Sequence, residues 1–124
     1  MNVLVAENDK FCRDQAVVAL NNFGTFNVDV AMGTSALDMI RQKSYDFVLL
    51  GINPGDPTGP ELLHGIRERD TNLEILVMAG DIIAKNMGRE KAQSNIFAFI
   101  QKPIDPLGFH RTVNRLKTRI LERK

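Results

Sequence analysis

The stretch YDFVLLGINPGDPTG, residues 45–59, indicates a buried strand that ends at a surface crevice. Phe47–Leu50 is an unbroken apolar run between turn-forming residues, which is typical of a strand covered on both faces of a parallel sheet. A loop rich in proline and glycine follows, so Gly51 is the last residue of the strand. In open α/β sheets, ligands and reacting groups lie at the carboxyl ends of the strands. A glycine at that end brings no side chain to such a site.

The composition predicts one globular domain in the cytoplasm. The chain has 124 residues, 44% hydrophobic and 25% charged, which does not fit disordered or coiled-coil proteins. Its formal net charge of +1 argues against a dedicated nucleic-acid binder. The single cysteine, Cys12, cannot form an internal disulfide. No apolar run reaches transmembrane length, and strand-like sequence begins too soon after Met1 for a signal peptide.

Five strand patterns alternate with five helix patterns along the chain. The strands are predicted at residues 3–6, 26–30, 47–51, 75–78 and 97–101. The second of these alternates apolar and polar residues, which predicts a half-exposed edge strand. The whole pattern predicts a parallel sheet with helices on both faces, in a single domain over residues 1–124. The basic segment 117–124 is either a free end or the start of a linker.

Capping residues place the beginnings and ends of several helices. Asn8 or Asp9 is predicted to cap the first helix, and Gly24 to follow its end as a C′ residue. Pro60 is predicted near the first position of the third helix, and Asp105 and Pro106 at the Ncap and N1 positions of the last. The fourth helix, predicted over residues 82–94, has the thinnest apolar stripe, and Asn95 is expected to close it in the left-handed conformation.

Five segments, spread over essentially the whole length of the chain, resemble the receiver domain of two-component response regulators. The matching segments are VLVAEND, AMGTSAL, YDFVLLGINPGDPTGPEL, LVMAG and FIQKPI. The resemblance implies a flavodoxin-like (βα)5 doubly wound fold, whose five-stranded parallel sheet has the order 2-1-3-4-5. It also implies a cis peptide bond between Lys102 and Pro103.

The resemblance implies a phosphoryl-transfer chemistry for active members of the family. An aspartate at the end of the third strand attacks a phosphoryl donor, and Mg²⁺ neutralises the charge of the phosphoryl group. That aspartate, an acidic residue after the first strand and a loop carbonyl hold the metal ion. A lysine after the fifth strand holds the phosphoryl group, and a Thr or Ser with an aromatic residue forms the switch.

Four positions of this chain match the family's pattern. Glu7 matches the first member of the acidic pair, and Asn53 matches the residue whose backbone carbonyl faces the metal. Lys102 matches the lysine that holds the phosphoryl group in the family, and Phe99 matches the switch aromatic. Three other positions depart from it: Asn8 stands in place of the metal-binding aspartate, Gly51 in place of the phosphoacceptor and Ala79 in place of the switch hydroxyl.

These departures predict a degenerate phosphorylation pocket with no catalytic residue and no Mg²⁺ site. Lys102 is then either a functional cation or the partner of Glu7, and we favour the ion pair. We expect Lys102 to turn toward Glu7 or toward a carbonyl near Gly51. We further expect backbone, water or a neighbouring side chain to use the space that the missing carboxylate leaves.

Other candidate groups receive structural interpretations. Asp56 and Asp9 could act as substitute acceptors, but a loop carboxylate and a helix cap explain them better. Cys12 is interpreted as core, and the basic last helix as a solvated face. A flavin or mononucleotide site on the same topology is discounted, because the turn after the first strand carries negative charge and no glycine.

The sequence therefore predicts a signalling domain rather than an enzyme. The first hypothesis is a protein-interaction module that is independent of phosphorylation and uses the face of the fourth helix, fifth strand and fifth helix, alone or as a homodimer. The second is an active receiver phosphorylated at a non-standard acidic residue. No membrane contact is expected, and nucleic acid would be reached only through an effector domain outside this chain.

Overall fold

A computed structural model describes residues 1–86 and 95–123. The chain folds into a five-stranded parallel sheet of order β2-β1-β3-β4-β5, which confirms the predicted topology. The strands are β1 (Asn2–Ala6), β2 (Asn27–Ala31), β3 (Phe47–Gly51), β4 (Glu74–Ala79) and β5 (Ala98–Gln101). The helices are α1 (Lys10–Phe23), α2 (Ser35–Gln42), α3 (Thr58–Arg69), α4 (Asp81–Asn86) and α5 (Pro106–Glu122).

Strand β3 lies at the centre of the sheet, and all five of its residues are buried. Its side chains alternate between two hydrophobic cores, one on each face of the sheet. Val48 and Leu50 pack with residues of α2 and α3, and Phe47 and Leu49 pack with residues of α1 and α5. Burial on both faces explains why this strand reads as a continuous apolar run.

The two edges of the sheet differ from its centre as the sequence predicted. Within residues 1–86 and 95–123, β2 pairs with β1 alone, and its residues are exposed or half-buried except for Ala31. At the other edge, β5 is paired with β4 and leads into the Lys102–Pro103 bond, which is cis. In parallel register, Ala6 lies beside Leu50 and Ala79 beside Gln101, so the carboxyl ends of neighbouring strands meet along one edge.

The predicted caps of the first and last helices are confirmed. Asp9 is the Ncap of α1, and its side chain accepts a hydrogen bond from the backbone N–H of Phe11 at 3.2 Å. Asp105 is the Ncap of α5 and accepts from the N–H of Gly108 at 3.0 Å, with Pro106 as the first helical residue. Each aspartate thus satisfies one of the free donors of a helix start.

Two helix ends differ in detail from their predictions. Helix α3 begins at Thr58 rather than near Pro60, because Oδ1 of Asp56 accepts from the N–H of Thr58 at 2.9 Å and starts the turn earlier. Pro60 is still tolerated, since it lies in the first turn, where N–H groups have no partner within the helix. Gly24 directly follows the last residue of α1, as predicted, but it has an extended conformation at φ 172° and not the left-handed one typical of a C′ glycine. A Cβ there would lie 2.9 Å from the Phe26 ring, so a larger residue would have to displace that ring.

The fourth helix is described only in part. It begins at Asp81 and is described to Asn86, so most of the helix predicted over residues 82–94 lies outside the described residues. Asn95 has φ +55°, which confirms the left-handed conformation expected for it. None of the helices described is long and apolar enough to cross a membrane.

The basic end of the chain makes ion pairs that the sequence did not predict. Helix α5 continues to Glu122, and Ile120 in its last turns is buried. Arg119 and Arg123 each lie 3.0 Å from Oε2 of Glu74, a carboxylate that is 4% exposed. Both arginines are exposed, as the interpretation of this helix as a solvated face predicted, but they also supply the counter-charge that a buried carboxylate requires. A linker near residues 117–124 stays a prediction.

Candidate functional site

Three loops at the carboxyl edge of the sheet bring the predicted pocket residues together. Glu7 directly follows β1, Asn53 lies just beyond β3, and Lys102 directly follows β5. These residues are separated by 46 and 49 positions in sequence but are within hydrogen-bonding distance of one another. Parallel pairing accounts for this meeting, because it places all of these strand ends at the same edge.

The three side chains form a closed ring of polar contacts. Nζ of Lys102 lies 2.5 Å from Oε1 of Glu7 and donates to Oδ1 of Asn53 at 2.7 Å. Nδ2 of Asn53 in turn donates to Oε2 of Glu7 at 2.8 Å. The Glu7 side chain is fully buried and the Lys102 side chain is 13% exposed. The predicted ion pair is confirmed. The side chain of Asn53 completes the ring, a role that the sequence did not predict, since the resemblance implied one only for its backbone carbonyl.

The carboxylate of Glu7 lies over Gly51, at the end of β3. A Cβ atom built on Gly51 would overlap Cδ and both carboxylate oxygens of Glu7. The expectation that a neighbouring side chain uses the space at position 51 is therefore confirmed. No signal in the sequence identified Glu7 as that side chain, because its conformation depends on Lys102 and Asn53.

Asn8 takes part in a separate set of contacts. Its Nδ2 donates to Oδ2 of Asp56 at 2.9 Å, and its Oδ1 accepts from the backbone N–H of Gly33 at 2.7 Å. Hydrogen bonds from the backbone and hydroxyl of Thr58 and from Asn8 lower the pKa of Asp56 below its ordinary value. Asp56 is thus a loop carboxylate with defined partners, as its structural interpretation predicted.

Asp9 and Cys12 form a pair at the start of α1. The thiol of Cys12 donates to Oδ2 of Asp9 at 3.1 Å, which lowers the pKa of Asp9. Burial, reinforced by this hydrogen bond, raises the pKa of Cys12 to about 11. Cys12 is 7% exposed, which confirms its assignment to the core. Asp9 is engaged as a cap and as a thiol acceptor, so its interpretation as a helix cap is also confirmed.

The two predicted switch positions lie on neighbouring strands. Ala79 is the last residue of β4 and is fully buried, and its carbonyl accepts from the N–H of Lys102 at 2.9 Å. Phe99 on β5 is half-buried and packs against the core cluster that contains Val77. The methyl group of Ala79 offers no hydrogen bond to the pocket.

A wide opening lies above the ring of polar contacts. It has a volume of about 530 Å³, and its lining includes Lys102, Asn53, Asp9 and Asp81 together with apolar side chains. Phe11 and Ile82 at this opening are 66% and 76% exposed. Most of the surface at this opening is therefore apolar, and the Lys102 and Asn53 side chains that reach it are paired with each other and with Glu7.

The residues present do not fit a Mg²⁺ ion. Mg²⁺ requires a near-octahedral set of oxygen ligands, usually with one or two carboxylates. Oε1 and Oε2 of Glu7 face the Lys102 ammonium and the Asn53 amide, and Oδ1 of Asn53 accepts from Lys102. A metal site would need another carboxylate at position 8, but Asn8 places an N–H donor there, which faces Asp56. A cation placed among these groups would meet ammonium and amide hydrogens.

Comparison with known proteins agrees with this fold. The sequence profile described as the response regulator receiver domain matches residues 3–114. A response regulatory protein of Vibrio vulnificus, itself uncharacterized, is 31% identical over 119 residues, which cover 94% of this chain and 47% of that protein. The chain spans about half the length of the curated relatives it matches.

Two solved structures show the same fold at lower identity. NtrX from Brucella abortus superposes with a TM-score of 0.84 at 24% identity, over 98% of this chain and 28% of that one. The chemotaxis protein CheY4 of Vibrio cholerae superposes with a TM-score of 0.80 at 20% identity, over 93% of this chain and 97% of that one. The profile match covers most of the sequence, and the sheet order is the one expected. This chain therefore belongs to the family of response regulator receiver domains.

Proposed function

We propose that this receiver domain is a protein-interaction module that works without phosphorylation. The observation that carries the proposal is the position of the Glu7 carboxylate, which lies over Gly51 and is paired with Lys102. Phosphoryl transfer requires a nucleophile, a metal ion and a free cation around the incoming group. Here position 51 offers no nucleophile, and the lysine is engaged by a carboxylate of the same chain.

The ion pair in the pocket also opposes the entry of an anionic donor. Glu7 is 1% exposed and its charge is already balanced by Lys102, so an incoming phosphoryl group would have to displace a buried carboxylate from its partner. Receiver domains are signalling modules, and we extend this to the present chain by proposing that it is not an enzyme. The absence of a Mg²⁺ requirement belongs to the same proposal.

We further propose that the partner is a protein bound at the face of α4, β5 and α5. Two exposed apolar side chains on these helices support this, Ile82 on α4 at 76% and Leu107 on α5 at 68% exposure. The partner is either another protein or a second copy of this chain. An effector domain outside this sequence would be the only route to nucleic acid. Cytoplasmic location stays a prediction.

Intact-mass measurement tests the loss of phosphorylation. The protein is incubated with acetyl phosphate and Mg²⁺, beside an active receiver that carries an aspartate at the end of its third strand. We expect the mass of one phosphoryl group to be added to the control and not to this protein. An adduct would contradict the proposal, and mapping it to Asp56 or Asp9 would favour an active receiver with a non-standard acceptor.

The interaction face is tested by comparing variants in a pull-down from cells that express the gene. Ile82→Asp and Leu107→Asp place a charge on the proposed face, and Val30→Asp places one on the opposite edge, where Val30 is 47% exposed. We expect partners held by the unsubstituted protein to be lost with the first two variants and kept with the third. Retention with all three variants would place the interface elsewhere.

A further inference from the structure

The side chain of Asn8 joins three loops at the carboxyl edge of the sheet. Its Oδ1 accepts from the N–H of Gly33, 25 residues away, and its Nδ2 donates to Asp56, 48 residues away. Oδ1 of Asp56 accepts from the N–H of Thr58, at the beginning of α3. The loops that follow β1, β2 and β3 are thereby connected through one amide group. We call these four residues the Asn8 joint.

The joint depends on the chemistry of an amide. Asparagine offers a donor and an acceptor on the same short side chain, and the joint uses both. An aspartate at position 8 would still accept from Gly33, but it would place a second carboxylate against Asp56. An alanine would lose both hydrogen bonds. Position 56 in turn requires two acceptors, because both oxygens of Asp56 accept hydrogen bonds, one from Asn8 and one from Thr58.

The resemblance implies a metal ion between two of these loops, those after β1 and β3, with an aspartate in place of Asn8. The side chains present disagree with that chemistry, since position 8 directs an N–H donor toward the Asp56 carboxylate at 2.9 Å. A hydrogen-bond donor satisfies a carboxylate without a cation. The Asn8 amide thus connects the loops through hydrogen bonds and needs no metal ion to do so.

We propose that Asn8 is a positioning residue whose amide holds these three loops together and keeps the pocket in shape without a divalent cation. This inference deepens the proposed function and rests on it, because a pocket that is not phosphorylated has no use for the metal. The Asn8 joint then replaces a loop contact that would otherwise depend on the metal ion.

A charge-preserving exchange tests the joint. Asn8→Asp alone sets two carboxylates against each other. Asn8→Asp combined with Asp56→Asn restores the hydrogen bonds from Gly33 and Thr58 and also the bond between positions 8 and 56. In that last bond the donor is now at position 56. We expect Asn8→Asp to lower Tm by about 4 °C in EDTA and the exchange to recover most of that loss. Asn114→Asp, an exposed position on α5, controls for the added charge and should leave Tm nearly unchanged.

A second measurement reports on loop position itself. Amide hydrogen exchange by NMR should show the Gly33 N–H exchanging about tenfold faster in Asn8→Ala, with no change in Asn114→Ala. The unsubstituted protein should keep the same Tm in EDTA and in millimolar Mg²⁺.

Three results would each overturn the inference. They are an Asn8→Asp variant as stable as Asn114→Asp, an exchange variant no more stable than Asn8→Asp, and a Mg²⁺-dependent rise in the Tm of the unsubstituted protein that Asn8→Ala abolishes. None of these measurements uses a phosphoryl donor. A phosphoryl adduct would therefore contradict the proposed function while leaving the result for the joint as it stands.

Discussion

The carboxylate of Glu7 lies in the space that a side chain at position 51 would occupy, at the end of the central strand. Its two oxygens are held there by Lys102 at 2.5 Å and Asn53 at 2.8 Å. A glycine at position 51 and a buried ion pair beside it are therefore parts of one arrangement. Any residue larger than glycine at position 51 must displace the Glu7 carboxylate.

Gly51→Ala should destabilise the protein by about 1–3 kcal/mol, as expected for overpacking in a well-packed interior. The control is Gly80→Ala, because a Cβ at Gly80 would meet no atom within 4 Å. Urea unfolding measures both. In a Glu7→Ala background the cost of Gly51→Ala should largely disappear, since the overlapping atoms are gone. Equal stability of the two alanine variants would show that Glu7 moves aside freely.

Glu7→Gln should cost on the order of 3 kcal/mol, because it removes the counter-charge of the partly buried Lys102 ammonium and leaves only neutral amide oxygens facing it. The matched control is Asp14→Asn, which removes an exposed ion pair: Lys10 and Asp14 lie 2.7 Å apart, with side chains 79% and 59% exposed. The control should change stability very little, since exposed pairs are hydrated in both states. Similar losses for the two variants would mean that burial does not strengthen the pocket pair.

Cys12 should react slowly with iodoacetamide at neutral pH. Its pKa is raised to about 11, so nearly all of it is the unreactive thiol, and burial restricts access further. Urea should speed the reaction to that of an exposed cysteine. Asp9→Asn keeps a good helix cap but removes the negative acceptor, so its thiol should react faster at pH 9. A fast reaction in the native protein would contradict this assignment.

Repair of the pocket should require two substitutions together. Gly51→Asp alone should take up little label from acetyl phosphate, because the new carboxylate meets Glu7 and no metal ion neutralises the donor. Adding Asn8→Asp should give measurable Mg²⁺-dependent labelling, since metal and nucleophile act as a unit. Ala79→Thr should then change the lifetime of the phosphorylated form. Labelling of Gly51→Asp as fast as that of the double variant would show that a metal site already exists.

The architecture could be predicted from the sequence because it depends on local patterns. The apolar run at residues 47–50, the turn residues after it and the caps at Asp9 and Asp105 each act over a few positions. Five strand-helix units in order leave few topologies open. The same reasoning placed Glu7 and Lys102 at one edge of the sheet, since parallel strands end together. It mispredicted the start of α3, where a side-chain contact from Asp56 competed with the proline signal.

The sequence by itself thus determined the fold, the edge at which the pocket lies and the absence of a side chain at position 51. Only the tertiary structure decided how the pocket is filled: Glu7 over Gly51, the amide of Asn53 within the ring, and Asn8 between Gly33 and Asp56. The physical reason is that these contacts join residues 25 to 49 positions apart. Each side chain takes its conformation from donors and acceptors on other loops, and no local pattern in the sequence records that choice.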